Sequence, residues 1–372
     1  MILDSVETNR VERPESVDAL AEIIGSDVGK IGIFGACTAL DFGNPLQPVD
    51  WAVDTRSLDR VTEYVPEDLT IHVESGVTIG QIQSVLDEHN QTLPLDPWGG
   101  PDATIGGIVA TNAQGSLRTV GSVRDWIIGM RVVNADGRQS RTGGRVVKNV
   151  SGYDLAKLYV GSLGSLAVIS EISFKLRPHY EKTVTARLLA EDRDELLSAI
   201  SVIRTNSFDP ISLIWIGPTE TVLVRFGDHP EAVDWQFEHL PRGGWERIEE
   251  EEEQEFWEQA RGAYKQLGDI VLRVAVPPSR ISELIDRIRP TSWIAHASVG
   301  VVLMGVSGVE DISETRKHFP AVIEKAPRSL RENVATFGLN GRELELMRTL
   351  KDSFDPKMRL NPGRHVDGEA RV

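Results

Sequence analysis

Cysteine is almost absent from this chain of 372 residues, in which Cys37 is the single thiol. One thiol cannot close a disulfide within the chain. It also cannot, by itself, hold a structural zinc or a four-thiolate iron–sulfur cluster. Any iron–sulfur relay that works with this protein must therefore lie on another chain.

Long hydrophobic runs and an excess of positive charge are also missing. No apolar run approaches the about 20 residues that a membrane span needs, and the N-terminal MILDSVETNRVERPES has no apolar signal segment. Acidic residues outnumber basic ones by 56 to 40, for a net charge of −16. This balance disfavours nucleic acid and anionic membranes as partners. We expect a cytoplasmic protein without a membrane span or a nucleic-acid partner.

The composition that remains is that of a soluble globular protein, with 40% apolar and 26% charged residues. At about 150 residues per domain, the length predicts two domains. Neither an internal repeat nor a low-complexity linker separates them.

Helical and strand patterns alternate over the first half of the chain. Apolar residues at helical spacing predict a helix at 16–25, and Thr78 caps the next one. Asp136-Gly137 predicts a hairpin. The run of Ile105, Ile108 and Val109 is strand-like, and further strands are predicted at 30–34, 69–76 and 166–176.

The pattern changes after Pro178, where strands and helices indicate a second α+β domain. The acidic run 249–253 indicates the solvated start of a helix, and a last helix is predicted at 343–354. These boundaries predict an α+β protein with one domain at 1–180, a second at 181–342 and a C-terminal helix and tail at 343–372.

Small residues are concentrated in GIFGACTALDFG at 32–43 and in ATIGGIVATNAQG at 103–115. Backbone without bulky side chains can approach a flat or anionic ligand, and successive N–H groups can converge on a pyrophosphate. Neither stretch has the spacing of a dinucleotide-binding or Walker fingerprint. Taken alone, each fits a cofactor cradle or a tight structural turn.

The order of the motifs decides between these interpretations. Between and after the two stretches come LPLDPWGG (93–100), GSVRDWIIGMRVVNADG (121–137), GRVVKNVSGYDL (144–155) and LNPGR (360–364). In this order they resemble FAD-binding flavoproteins of the vanillyl-alcohol oxidase / p-cresol methylhydroxylase type. Within that family the chain is most similar to the smaller FAD-binding chains of bacterial glycolate oxidases. The resemblance is dense from Gly32 to Pro178.

The resemblance implies a two-part FAD-binding domain, then a smaller α+β cap domain, with the C-terminal tail returning to the FAD-binding domain. It also implies noncovalent FAD, since the pyrophosphate loop at 35–40 lacks the histidine that attaches flavin in some relatives. The implied FAD-binding residues are Gly35, Ala36, Cys37, Thr38, Ala39, Leu40, Pro94, Leu95, Asp96, Pro97, Thr104, Ile105, Gly106, Gly107, Thr111, Asn112, Gly115, Val168, Ile169 and Asn361.

The pyrophosphate loop departs from the family pattern. Relatives usually carry an arginine and three glycines before the threonine, where this chain has Phe34, Gly35, Ala36 and Cys37. Ala36 and Cys37 therefore either keep a negative φ or carry a modest strain.

The loop that precedes the helix near 155 supplies the candidate catalytic residues. In the resemblance it borders the flavin and the substrate pocket, which implies roles for Lys148, Asn149 and Tyr153. The alternative is that Ser151 or Asp154 caps the helix and Tyr153 packs beneath it.

Metal-dependent relatives carry a histidine pair on a glycine-rich strand of the cap. Here the matching strand keeps His296, while Val302 or Leu303 stands at the second position. One imidazole cannot form a metal site, so we interpret His296 as a structural histidine and expect no metal.

The resemblance implies an FAD-dependent oxidoreductase: the FAD-binding subunit of a multi-subunit 2-hydroxy-acid, glycolate-type enzyme. Its expected partners are a catalytic flavoprotein subunit and an iron–sulfur subunit of the same complex. Two alternatives remain open, a stand-alone, metal-independent FAD dehydrogenase of a small hydroxylated substrate, and a scaffold that has lost FAD.

Overall fold

The computed structural model describes residues 1–26, 28–144, 155–190, 192–241 and 243–365. Its strands are β1 (Ile2–Leu3), β2 (Val6–Glu7), β3 (Val11–Glu12), β4 (Ile31–Phe34), β5 (Trp51–Asp54), β6 (Val61–Val65), β7 (Thr70–Glu74), β8 (Gln91–Thr92), β9 (Ile127–Val133), β10 (Gln139–Gly143), β11 (Val168–Lys175), β12 (Arg177–Pro178), β13 (Lys182–Leu189), β14 (Pro210–Gly217), β15 (Thr221–Asp228), β16 (Trp245–Ile248), β17 (Val271–Ala275), β18 (Ser292–His296), β19 (Val301–Gly305) and β20 (Ala321–Lys325).

The helices are α1 (Val17–Ser26), α2 (Ile79–Asp87), α3 (Ile105–Thr111), α4 (Val123–Trp126), α5 (Ala156–Tyr159), α6 (Arg193–Thr205), α7 (Pro230–Glu238), α8 (Glu250–Lys265), α9 (Ile281–Ile288), α10 (Val309–His318), α11 (Arg328–Arg331) and α12 (Gly341–Phe354). Short 3-10 helices lie at Thr55–Ser57, Pro66–Asp68, Ser116–Thr119 and Pro278–Arg280. Within the described ranges, no helix is both long and apolar enough to cross a membrane.

The chain forms two compact units. The first takes residues 1–114, 121–178 and the chain from 328 onward, and the second takes 115–120 and 179–327. The second unit contains one eight-stranded sheet in the order β16-β13-β15-β14-β18-β19-β17-β20. All pairs in this sheet are antiparallel, as expected for an α+β domain.

Local signals place several elements of the first unit. The Thr78 side chain accepts a hydrogen bond from the Gln81 backbone, and the Gln81 side chain accepts one from the Thr78 backbone, which forms a capping box at the start of α2. Strands β9 and β10 pair as the predicted antiparallel hairpin. Strand β9 lies inside a five-stranded sheet in the order β10-β9-β11-β7-β6.

A parallel three-stranded sheet in the order β3-β5-β4 forms the other layer of this unit. A buried cluster of α1, β4 and β5 side chains packs with Val133 of β9 and Val168 of β11, which joins the two sheets. Because the three strands are parallel, the segments that follow them emerge at the same edge. Parallel sheets bind ligands at this carboxyl edge.

The strand-like interpretation of Ile105, Ile108 and Val109 is wrong, because these residues lie in helix α3. Their spacing of three and four residues puts all three on one buried face of a helix. Gly106 can lie in this helix because it packs directly against Ser75, where an added Cβ would come within 2.7 Å of the serine Cβ. The glycines that suggested a strand crossing instead allow a helix to approach β7 closely.

The C-terminal tail returns to the first unit. Ile31 of β4 donates to the Arg359 carbonyl at 2.7 Å, and Asn361 donates back to the Ile31 carbonyl at 2.9 Å. Residues 328–342, which the sequence assigned to the cap, belong to the first unit. Arg331 explains this, since it donates to the Gly43 carbonyl and to Asp4.

Candidate cofactor-binding site

The loop after β4 carries the predicted pyrophosphate-binding residues. Cys37 has a φ of +60°, the left-handed conformation that favours glycine. The neighbouring Ala36 avoids positive φ. The predicted strain therefore falls on Cys37 alone.

The backbone N–H groups of residues 36–40 donate no hydrogen bond to any described part of the chain. Their carbonyls, in contrast, are used: Ala39 accepts from Phe42 and Leu40 accepts from Arg364. A run of successive, unengaged N–H groups around a left-handed residue is a concave anion-binding arrangement.

The segment 99–107 lies directly against this loop. A Cβ built on Gly35 would come within 2.2 Å of the Thr104 Oγ1, and one built on Gly99 within 2.8 Å of the Thr38 Oγ1. Both glycines are therefore required by close approach of the two segments. The structure thus brings together Gly35, Thr38 and Thr104, which are far apart in sequence.

Helix α3 adds a further free donor beside the loop. Its first N–H groups are used, because Ile105 donates to Val77 and Gly106 donates to Ser75, each at 2.8 Å. The N–H of Gly107 has no partner among the described residues. A Cβ on Gly107 would meet only the Thr104 Oγ1, at 3.1 Å.

Polar atoms without partners surround the same helix. The Asn112 Oδ1 and the Ser75 Oγ are buried and have no hydrogen-bond partner in the part of the chain that the structure describes. Buried polar atoms are normally satisfied, so such atoms beside a cradle of free N–H groups indicate a place for a polar ligand. The residues present therefore fit a bound dinucleotide such as FAD.

Other predicted cofactor residues have structural contacts. The Thr111 hydroxyl donates to the Gly107 carbonyl at 2.7 Å. The Asn361 side chain accepts from Ile33 at 2.6 Å and donates to Leu163 at 2.7 Å, which joins the tail to β4.

The remaining predicted cofactor residues are spread over several elements. Val168 and Ile169 are buried in β11, and Pro94, Leu95 and Pro97 are buried in the loop that leads to residues 99–107, with Asp96 half-buried among them. Gly115 belongs to the second unit. A role in FAD binding stays a prediction for each of these residues.

The candidate catalytic residues Lys148, Asn149 and Tyr153, with Ser151 and Asp154, lie outside the described residues. Their roles stay predictions.

His296 ends strand β18 in the second unit and is 1% exposed. Its neighbours in register are Val301 and Ile214. Burial, followed by the charge of Arg118, holds the pKa of His296 well below its usual value, so the imidazole is neutral. The described residues contain no group of three His, Cys, Asp or Glu side chains that could hold a metal.

The sequence did not reveal an arginine cluster that fixes the far side of the loop. Arg364 is buried and donates to the carbonyls of Leu40, Phe42 and Asn44 and to Asp4. Burial lowers the pKa of Arg364 to about 10, which leaves the guanidinium charged at neutral pH. The motif LNPGR contained this residue, but its partners are too distant in sequence to be inferred.

Comparison with known proteins agrees with this geometry. A family model described as "FAD binding domain" matches residues 9–143, and one described as "FAD linked oxidases, C-terminal domain" matches residues 329–365. The second match contains both Asn361 and Arg364, which hold the tail against β4 and its loop.

Relatives in sequence include two glycolate oxidase subunits. The subunit GlcE of Escherichia coli (strain K12) is 37% identical over 164 residues, which are 44% of this chain and 46% of that protein, so the match spans less than half of either. The subunit GlcD of Bacillus subtilis (strain 168) is 28% identical over 85% of this chain and 79% of that protein. The mitochondrial D-lactate dehydrogenase [cytochrome] of Arabidopsis thaliana is 27% identical over 95% of this chain and 72% of that protein.

Solved structures share the fold. p-Cresol methylhydroxylase with substrate bound superposes with a TM-score of 0.71 at 16% identity, over 99% of this chain and 91% of that chain. Alkyldihydroxyacetonephosphate synthase gives 0.72 at 15% identity, over 96% and 77%. The chain is therefore an FAD-dependent oxidoreductase that carries the FAD-binding domain of FAD-linked oxidases in the fold of p-cresol methylhydroxylase.

Proposed function

We propose that this protein is the FAD-binding subunit of a multi-subunit 2-hydroxy-acid oxidoreductase of the glycolate oxidase type. The observation that carries the proposal is the combination of a cradle built for a dinucleotide with a cap that keeps one buried, neutral histidine. Its partners in this proposal are a catalytic flavoprotein subunit and an iron–sulfur subunit, and its compartment is the cytoplasm.

The residues of the cradle have defined tasks in this proposal. The N–H groups of residues 36–40 and of Gly107 bind the diphosphate, and the Thr38 hydroxyl adds a donor. Asn112 offers its buried Oδ1 to the ligand. When bound, noncovalent FAD supplies the capacity to accept and pass on electrons.

The cap gives the reason for assigning a subunit role. Enzymes that use a metal to oxidise a hydroxy acid gain several kcal/mol from polarising the substrate, and each about 1.4 kcal/mol is tenfold in rate. His296 lies between apolar strand neighbours, and its low pKa makes it a poor base at neutral pH. Electrons would therefore reach or leave this flavin through a second chain.

A stand-alone, metal-independent dehydrogenase is the second candidate. It is favoured by the similarity to GlcD and to the D-lactate dehydrogenase, which extends over 85% and 95% of the chain and so includes the cap. In that case Lys148 or Tyr153 would act as the base.

Anaerobic stopped-flow reduction separates the two candidates. The FAD-loaded chain is mixed with millimolar glycolate or D-lactate, with and without a divalent metal, and dithionite serves as the control that the flavin is reducible. We expect bleaching by dithionite and none by either acid within seconds. Rapid bleaching by an acid would establish the stand-alone enzyme.

Affinity purification of the tagged chain from its native host tests the subunit role directly. We expect a second FAD-linked oxidase chain and a protein with iron–sulfur absorbance to co-purify in fixed ratio. A monodisperse, catalytically active single chain would contradict the proposal. A chain that stays colourless and fails to bind added FAD would leave only the scaffold.

A further inference from the structure

A pocket of about 530 Å³ lies at the carboxyl edge of the parallel sheet and is lined by Arg13, Arg56 and Arg60 together with acidic residues that include Asp54. Strand β3 leads into Arg13, and β5 ends at Asp54. Because β5 is the middle strand of the order β3-β5-β4, the segment after it is adjacent to the segment after β4. The pocket therefore adjoins the loop at 35–40.

Asp54 fixes two of these arginines. Its side chain is 2% exposed and accepts from the Arg56 Nε at 2.9 Å and Nη2 at 2.7 Å, and from the Arg13 Nε at 3.3 Å. Burial alone would raise the pKa of the Asp54 carboxyl, but the hydrogen bonds from Arg56 and Arg13 bring it below its usual value. One ionised carboxylate thus faces two guanidinium groups, which leaves a local positive charge.

Arg56 keeps a donor for a ligand. Its Nε and Nη2 are used by Asp54, while Nη1 has no partner among the described residues, and its side chain is 54% exposed. Glu15 and Asp59 also line the pocket, so the positive excess is local to the Asp54 pair. Since Arg56 is held in a rigid fork, it can offer this donor at little entropic cost.

Two contacts bring Arg56 close to the loop. The Thr55 hydroxyl, one residue earlier, donates to the Phe34 carbonyl at the end of β4 at 3.1 Å. The charge of Arg56 also reaches the Cys37 thiol. Burial raises the pKa of that thiol, while Arg56 lowers it.

We propose that Arg56, anchored by Asp54, is a binding residue for the diphosphate of FAD and supplies the positive charge that the loop itself lacks. Residues 35–40 read Gly-Ala-Cys-Thr-Ala-Leu and contain no basic side chain. Backbone N–H groups orient a diphosphate but leave its charge uncompensated, and a guanidinium donates charge-assisted hydrogen bonds to phosphate oxygens. The proposal requires only that the chain binds FAD.

Arg60 provides a matched control. It also forms a two-pronged contact with a buried carboxylate, donating to Glu74 through Nη2 at 2.8 Å and through Nε at 3.1 Å, and its side chain is 62% exposed. Arg60→Gln therefore removes the same charge from the same pocket without removing the group next to Thr55 and the loop.

The test measures dissociation constants of the apoprotein for FAD, ADP and riboflavin in wild type, Arg56→Gln, Arg56→Lys and Arg60→Gln. ADP carries the diphosphate without the flavin, and riboflavin carries the flavin without phosphate. Thermal unfolding of each apoprotein checks its fold. We expect Arg56→Gln to weaken FAD and ADP about tenfold or more, since a charged hydrogen bond is lost. Riboflavin binding stays unchanged, Arg56→Lys is intermediate and Arg60→Gln stays near wild type.

Three results would overturn the proposal: wild-type affinity of Arg56→Gln for FAD and ADP, an equal loss of riboflavin, or an equal effect of Arg60→Gln. If Arg56→Gln fails to fold, salt titration of the wild type decides. Screening must then weaken ADP while leaving riboflavin unaffected, and equal weakening of both ligands would reject a charge contact.

Discussion

Gly106 and Gly107 are adjacent in α3 but should respond oppositely to the same added methyl group. On Gly106 a Cβ would lie 2.7 Å from the Ser75 Cβ and 2.9 Å from the Ser75 carbonyl oxygen. On Gly107 it would meet only the Thr104 Oγ1, at 3.1 Å, a side-chain atom that can move. The first methyl enters packed protein, and the second enters the proposed FAD cradle.

The expected magnitudes follow from these contacts. Gly106→Ala overpacks a site that includes backbone, which costs about 1–3 kcal/mol of unfolding free energy. Gly107→Ala should leave the apoprotein within about 1 kcal/mol of wild type, because alanine's better helix propensity offsets the tight contact. It covers the free N–H of Gly107, and the loss of one charged hydrogen bond corresponds to about ten- to hundredfold weaker FAD binding. Gly107→Val should lose more, since its side chain is larger and branched.

The assay combines urea unfolding of each apoprotein with titration of FAD by flavin fluorescence. Gly107→Ala should keep its stability and lose FAD affinity, while Gly106→Ala should lose stability. A Gly107→Val protein that is folded and fully yellow would refute the placement of FAD at α3. So would a pair of variants that lose stability and affinity in parallel.

Three further outcomes are expected. Acid or heat denaturation should release FAD into the supernatant, because the cradle lacks a histidine for attachment; flavin that stays on the unfolded chain would contradict this. Bound FAD should protect Cys37 from alkylation in mass spectrometry, and without FAD the reaction should need a pH above that of an ordinary thiol, because burial raises its pKa; equal rates with and without FAD would place the loop elsewhere. Lys351→Met should cost about 3–5 kcal/mol in urea unfolding, since it leaves the buried Asp355 carboxylate without its 2.7 Å partner; adding Asp355→Leu should recover most of that loss, and no recovery would show that the pair is not the cause.

Local signals explain what the sequence could predict. The capping box at Thr78, the hairpin at Asp136-Gly137 and the strands at 31–34 and 70–74 depend on residues within a few positions of one another. Helix α3 was missed because its glycines have low helix propensity. They are present for tertiary reasons, since Gly106 packs on Ser75 and Gly107 leaves a donor free.

The parts of the site that escaped prediction are set by distant contacts. The order β3-β5-β4 decides that Arg13 and Arg56 come to the same edge as the loop, and strand order is not written in any short motif. Arg364 and Asp4 meet from opposite ends of the chain. Residue types alone gave no reason to prefer these arginines over the other basic residues.

The arginine cluster also explains how the loop tolerates Cys37. A left-handed non-glycine residue costs roughly 1–2 kcal/mol, and the next residues must be held firmly for that conformation to persist. Arg364 holds the carbonyls of Leu40, Phe42 and Asn44, and Arg331 holds that of Gly43. Hydrogen bonds from charged donors contribute about 1.5–3 kcal/mol each, so this cluster outweighs the strain. The tail thus fixes the carbonyl side of the loop, while its N–H side stays free for FAD.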